Sequence, residues 1–223
     1  MFKTTKTCVV LTISLLIFAL AASPDGVCAK EGLWIPATLK SREQDMRQLG
    51  LQIPVSQLYN DDGTGLNNAV VLFGRGCTGE IISPSGLVLT NHHWGYGSVQ
   101  RLSSADKDYF AVGYFAKNHN EEIPCPGLTV TFIRRMENVT DRVLKGISDT
   151  LSDDDRDRLI NDRIVAVEAE YASSTHLDAS IKPYFEGNQY WVAITETFRD
   201  IRLVAFPPNG IGAFGGDVEN WMW

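Results

Sequence analysis

Residues Gly76 to Gly97 read GCTGEIISPSGLVLTNHHWGYG. Gly79-Glu80-Ile81-Ile82-Ser83 and Gly86-Leu87-Val88-Leu89-Thr90 are apolar-rich runs, and Ser83-Pro84-Ser85-Gly86 between them carries the proline and glycine of a tight turn, so the stretch predicts an antiparallel hairpin. It leads into Thr90-Asn91-His92-His93 and then Gly95-Tyr96-Gly97. An imidazole at the end of a rigid strand, followed by a flexible turn that opens space, is what a general base needs. Most lone histidines at strand ends simply satisfy backbone partners. Paired histidines can also hold zinc, but neighbours on a strand point to opposite faces, and His119 and His176 stand at no recognisable ligand spacing. No metal or cofactor is called for.

Outward from the hairpin, Ala69-Val70-Val71-Leu72-Phe73 reads as a buried strand, and Leu128 to Ile133 (LTVTFI) alternates apolar and hydroxyl residues as a sheet with one buried face should. Glu31 to Leu51 predicts a short helix with Leu39, Met46 and Leu49 as its apolar face and Gly50 as its stop, followed by the turn-rich connector Asn60 to Asn67. Between Asn138 and Ser174 apolar residues recur at helical spacing among many charges. Two amphipathic helices fit, the second capped by Ser152 with Asp153-Asp154-Asp155 complementing its dipole. That acidic run lacks the glycine and spaced oxygens of a calcium loop. Strands resume at Tyr190 to Phe198 and Ile201 to Phe206, before the glycine-rich, aromatic Pro207 to Trp223. The fold class read from this order is mainly β with an α insertion.

The 223 residues begin with Lys3 and Lys6, the apolar run Cys8 to Ala22 and Val27-Cys28-Ala29, the three parts of a secretory signal cut after Ala29. The run is shorter than the ~20 residues a spanning helix needs, so no membrane span is expected after its removal. Loss of Lys3, Lys6 and Asp25 from 20 basic and 27 acidic residues leaves 18 against 26, with no basic patch for nucleic acid. Cys77 and Cys125 are then the remaining thiols in an oxidising compartment, where pairing is permitted but not dictated. The end on Trp221-Met222-Trp223, apolar and without a polar tail, reads as a stop inside a folded segment. On that reading the isolated chain, with unpaired edges and an open core, is expected to aggregate or stay molten.

Four ordered stretches, GCTGEIISPSGLVLTNHHWGYGSVQ from Gly76, DYFAVGYFA from Asp108, PCPGLTVTF from Pro124 and ITETFRDIRLVAFPPNGIGAFGGDVENWMW from Ile194, resemble the signature blocks of the bacterial dipeptidyl-peptidase 7 and 11 family. The resemblance implies a periplasmic, cell-surface or secreted serine exopeptidase that removes dipeptides from peptides with a free N-terminus. It implies a trypsin-like double β-barrel, incomplete here, interrupted by a helical domain. The organisation would be a signal peptide over 1–29, peptidase domain over 30–136, helical insertion over 137–178 and a return to the peptidase domain over 179–223. His93, the second of the pair, matches the triad histidine because it precedes the position that is usually cysteine in the family, here Trp94. Asn220 and Trp221 match residues that hold the substrate's α-amino group. The triad aspartate and serine match nothing in these residues; Asp217 and Glu219 belong to the loop before the acid, and no Gly-x-Ser-x-Gly occurs. The resemblance adds a homodimer for the full-length form. The competing reading is a non-catalytic pseudopeptidase or a module that binds peptide N-termini.

Overall fold

The structure is a computed structural model that describes residues 34–148, 150–172 and 177–212. The leader 1–29, His176, Asp217, Glu219, Asn220 and Trp221 therefore lie outside the described residues. Two compact units divide the chain, Met1–Ile35 and Pro36–Trp223, and every described helix and strand belongs to the second.

A 3-10 turn Pro36–Arg42 runs into helix α1 (Glu43–Gln48). As expected, Gly50 stops it: its φ is +105°, its N–H donates to the Arg47 carbonyl, and the Leu51 N–H reaches back to Met46. Leu39 and Met46 are half-buried, but Leu49 is 69% exposed, because the chain has already left the helix at this cap residue. After the single turn α2 (Val55–Leu58), the connector is knit by Asn60, whose Oδ1 accepts from the N–H groups of Asp62, Thr64 and Gly65 at 3.2 Å.

In chain order the strands are β1 (Val70–Phe73), β2 (Cys77–Ile81), β3 (Val88–Thr90), β4 (Tyr114–Phe115), β5 (Ile123–Pro124), β6 (Val130–Asn138), β7 (Asp178–Tyr184), β8 (Gln189–Phe198), β9 (Arg202–Leu203) and β10 (Ala205–Phe206). Six form one antiparallel sheet in the order β3-β2-β1-β6-β8-β7, and the short strands pair as two ribbons, β4 with β10 and β5 with β9. The remaining helices are α3 (His92–Leu102), α4 (Tyr109–Val112), α5 (Thr140–Leu144), α6 (Asp153–Tyr171) and α7 (Asn209–Gly212).

β6 spans two cores. Its start pairs with β1, and Val71, Phe73 and Val130 form a small buried cluster there. A register shift between Ile133 and Arg135 then bulges the strand at Arg134, whose guanidinium lies 4.3 Å from the Phe132 ring centre and bonds Glu196 of β8 at 2.8 Å. Beyond the bulge, Val139, Val143, Ile160, Val167, Ile181, Tyr190, Val192 and Ile194 unite α5, α6, β7 and β8 in a larger core. The acidic start of α6 is capped as expected, Ser152 Oγ accepting from the Asp155 N–H at 3.2 Å.

Several expectations need correction. The described chain is mixed α/β rather than mainly β, with an antiparallel sheet. No closed barrel forms among the described residues, where the resemblance implies an incomplete one. The hairpin is present, with the Gly86 N–H on the Ser83 carbonyl, yet β3 is shorter than expected because Leu87 is spent closing the turn against Ile82. Strand β7 was not anticipated: Lys182 and Pro183 break its alternation, as befits an edge strand, and its Ile181 N–H is covered by Glu168 of α6 at 2.7 Å. Ile201 to Phe206 is not one strand but the separate β9 and β10, which pair with different partners.

Candidate active site

The hairpin leads directly into the histidines. Gly79 sits mid-strand in β2, where a Cβ would lie 3.0 Å from Val88 Cγ1 and 3.2 Å from the Leu89 carbonyl, so only glycine lets β3 close fully. Gly79 pairs with Thr90, and the Thr90 hydroxyl donates to the Thr78 carbonyl at 2.7 Å. The residue before the Asn91-His92-His93 segment is thus tied to the sheet by side chain and backbone.

The segment after the hairpin is not the flexible turn expected. Asn91 is extended, with ψ 143°, and His92 opens helix α3, so Gly95, Tyr96 and Gly97 are helical. Glycine disfavours a helix by about 1 kcal/mol, and tertiary contact overrides that preference here. A Cβ on Gly95 would meet Phe206 Cε2 at 3.3 Å, so the helix packs closely on β10 here and an alanine would press on the Phe206 ring. Adjacent side chains on a helix diverge by about 100°. The two imidazoles are therefore separated, as a strand would also have done.

His92 turns toward β10. Its ring stacks on Phe206 at 4.1 Å and 21°, and Tyr96 meets it edge-on at 5.0 Å. Phe110 of α4 completes the cluster, 5.0 Å from Tyr96 and 6.0 Å from Phe206. His93 turns the other way, its ring 4.5 Å from that of Trp94, which is 45% exposed. The Nδ1 atom of His93 is sealed from solvent and has no hydrogen-bond partner among the described residues. No three His, Cys, Asp or Glu side chains converge as a metal cluster among the described residues.

The model of the family "Peptidase S46" matches residues 29–223. This chain belongs to the peptidase S46 family. Dipeptidyl-peptidase 7 of Capnocytophaga gingivalis is 39% identical over 214 residues, covering 93% of this chain and 30% of that protein. The Asp/Glu-specific dipeptidyl-peptidase of Flavobacterium psychrophilum is 41% identical over 193 residues, 86% of this chain and 27% of that protein. Among solved structures, Porphyromonas endodontalis DPP11 in complex with the dipeptide Arg-Glu superposes with a TM-score of 0.71 at 36% identity, over 87% of this chain and 29% of that one. The same protein in an alternate conformation reaches a TM-score of 0.74 at 35% identity, over 86% of this chain and 29% of that one. The chain thus spans under a third of the length of these S46 relatives.

Cys77 and Cys125 are both free thiols. Cys125 is buried, its Sγ 3.7 Å from the Ile123 carbonyl, and burial pushes its thiol pKa up. The sequence singled out His93 but gave no role to Tyr96, Phe110, Phe206 or Gly212. Their signal was present in the aromatic and glycine pattern of the S46-like blocks, but only the fold brings those blocks to the same helix end.

Proposed function

We propose that this chain is the histidine-bearing part of an exported serine dipeptidyl peptidase, and that His93 is its general base. The match of the S46 family model across residues 29–223, which takes in the His92-His93 pair, carries the reading, and the solvent-sealed Nδ1 of His93, without a partner among the described residues, is compatible with it. A triad imidazole needs a carboxylate on one nitrogen to fix its tautomer, leaving the other to take the serine proton. With the relatives more than three times as long, the aspartate, the serine, the oxyanion donors and the strands that complete a double barrel are assigned to polypeptide outside these residues. In the reaction, the serine oxygen bonds to the scissile carbonyl carbon while His93 takes its proton. His93 then protonates the leaving amine as the C–N bond breaks, and water releases the dipeptide by the same exchange.

Asn220 and Trp221 would hold the substrate's free α-amino group through a carbonyl acceptor and an aromatic wall. Relatives named for dipeptidyl-peptidase 7 and for Asp/Glu specificity match this chain about equally well, which supports placing side-chain choice outside it. The leader 1–29 would deliver the protein to the periplasm or cell surface, the peptidase domain is split at 137–178 by the helical insertion, and the full-length form is assigned as a homodimer. The test is the full-length protein on fluorogenic dipeptidyl reporters. H93A should lose activity by about 10⁴-fold or more, and N-acetylated reporters should not be cleaved. Wild-type turnover in H93A would overturn the base assignment, and an inactive full-length protein that still binds peptide N-termini would favour a pseudopeptidase.

A further inference from the structure

We infer that His92 is a positioning residue: its ring forms an aromatic joint with Phe206 and Gly212 that holds the start of α3, and with it His93, in place. The inference rests on the reading of His93 given above. Four observations meet at this joint. The His92 ring lies nearly parallel on Phe206 at 4.1 Å, with Tyr96 from the next turn edge-on at 5.0 Å. Stacked and edge-on ring pairs of this kind stabilise beyond the area they bury, because ring edges meet the electron-rich faces of their neighbours. Gly212 is buried directly beside the imidazole: a Cβ there would stand 2.2 Å from His92 Cε1, so the ring occupies the space a side chain would fill. Phe206 is itself held, 4% exposed, on β10. Gly113, with φ +80°, lets the backbone beside it close on both Phe206 and Pro208, where a Cβ would come within 2.8 Å of the Phe206 carbonyl and 2.7 Å of Pro208 Cδ.

The consequence is two anchors for one catalytic side chain. Thr90 ties the strand end before α3 to β2, and the His92 ring ties the first turn of α3 to the β4–β10 ribbon. Without the second, α3 can pivot about Asn91. A displacement on the order of 1 Å at a reacting group costs about 10²-fold in rate.

The experiment measures kcat and KM on a dipeptidyl-coumarin reporter for full-length wild type, H92A, H92F and F206L, with hydrogen exchange of the Trp94 to Val99 amides. H92A should lower kcat about 10²-fold while moving KM less than about threefold, because binding is untouched and geometry is lost. H92F should restore most of kcat, since it keeps the ring and its volume. F206L, which keeps an apolar side chain on β10 and removes the ring, should reproduce the loss and serves as the reading should H92A not fold. Exchange at the start of α3 should rise in H92A and F206L but not in H92F, whether or not the reporter is cleaved. Equal loss in H92F and H92A would show that a ring nitrogen matters instead of the stack, and wild-type turnover and exchange in H92A and F206L would remove the joint altogether. Either result overturns the inference. An active H93A would refute only the base assignment, because the joint is read from the His92 and Phe206 variants.

Discussion

On one side of the Arg134 bulge, β7 and β8, with Val139 just past β6, lie against α5 and α6 around a core of eight buried side chains among the described residues; on the other, β1 and the start of β6 supply a core of three. The far face of that smaller half presents Val70, Leu72 and Leu89, 44%, 39% and 56% exposed. The histidines belong to the thinly covered half. Functional segments are drawn from the less stable parts of a fold, where side chains can reach substrate and partner segments can dock. The helix-backed half is closed around its own core, while the half that carries His93 relies on glycine contacts and stacked rings.

Three substitutions separate the halves, all read in the full-length protein. The largest effect is expected from Gly113→Ala, which combines a left-handed backbone with a Cβ 2.7 Å from Pro208 Cδ. Loss of about 3 kcal/mol should appear as a lower melting temperature and faster exchange in α3 and β10, with β8 unchanged. Equal loosening of β8 would show that the two halves unfold as one. Val192→Ala, at a fully buried position of β8, should cost about 2 kcal/mol and loosen β7, β8, α5 and α6 together. Its kcat should stay near wild type, and a large fall in kcat would tie the helix-backed core to the chemistry. The smallest effect, about 1 kcal/mol, is expected of Ser152→Ala, which removes the cap of α6. Its exchange signature should be confined to the first turn of that helix.

How much was legible depended on whether the signal was local. The β2–β3 hairpin announced itself through Ser83-Pro84-Ser85-Gly86, the end of α1 through Gly50, and the start of α6 through Ser152, because turn and cap residues act within a few positions. The edge strand β7 did not, since only Ile181 of its side chains is buried and Pro183 contradicts a central strand. Helix α3 hid behind Gly95 and Gly97, which read as a loop until Phe206 supplies the contact that makes Gly95 useful. Similarly, Val204 interrupts what looked like one strand, because β9 and β10 answer to different partners.

By itself, the amino-acid sequence determined the order of most elements, the hairpin that ends at the histidine pair, and through its signature blocks the S46 membership later shown by comparison. Hairpins, caps and family motifs are written in neighbouring residues. Only the tertiary structure decided that the two histidines share a helix start, that His92 rests on Phe206, and that the His93 Nδ1 is buried without a partner among the described residues. The helix start and the His92 stack depend on Phe206, brought from more than a hundred residues away, whose packing outweighs the roughly 1 kcal/mol by which a helical glycine resists its place.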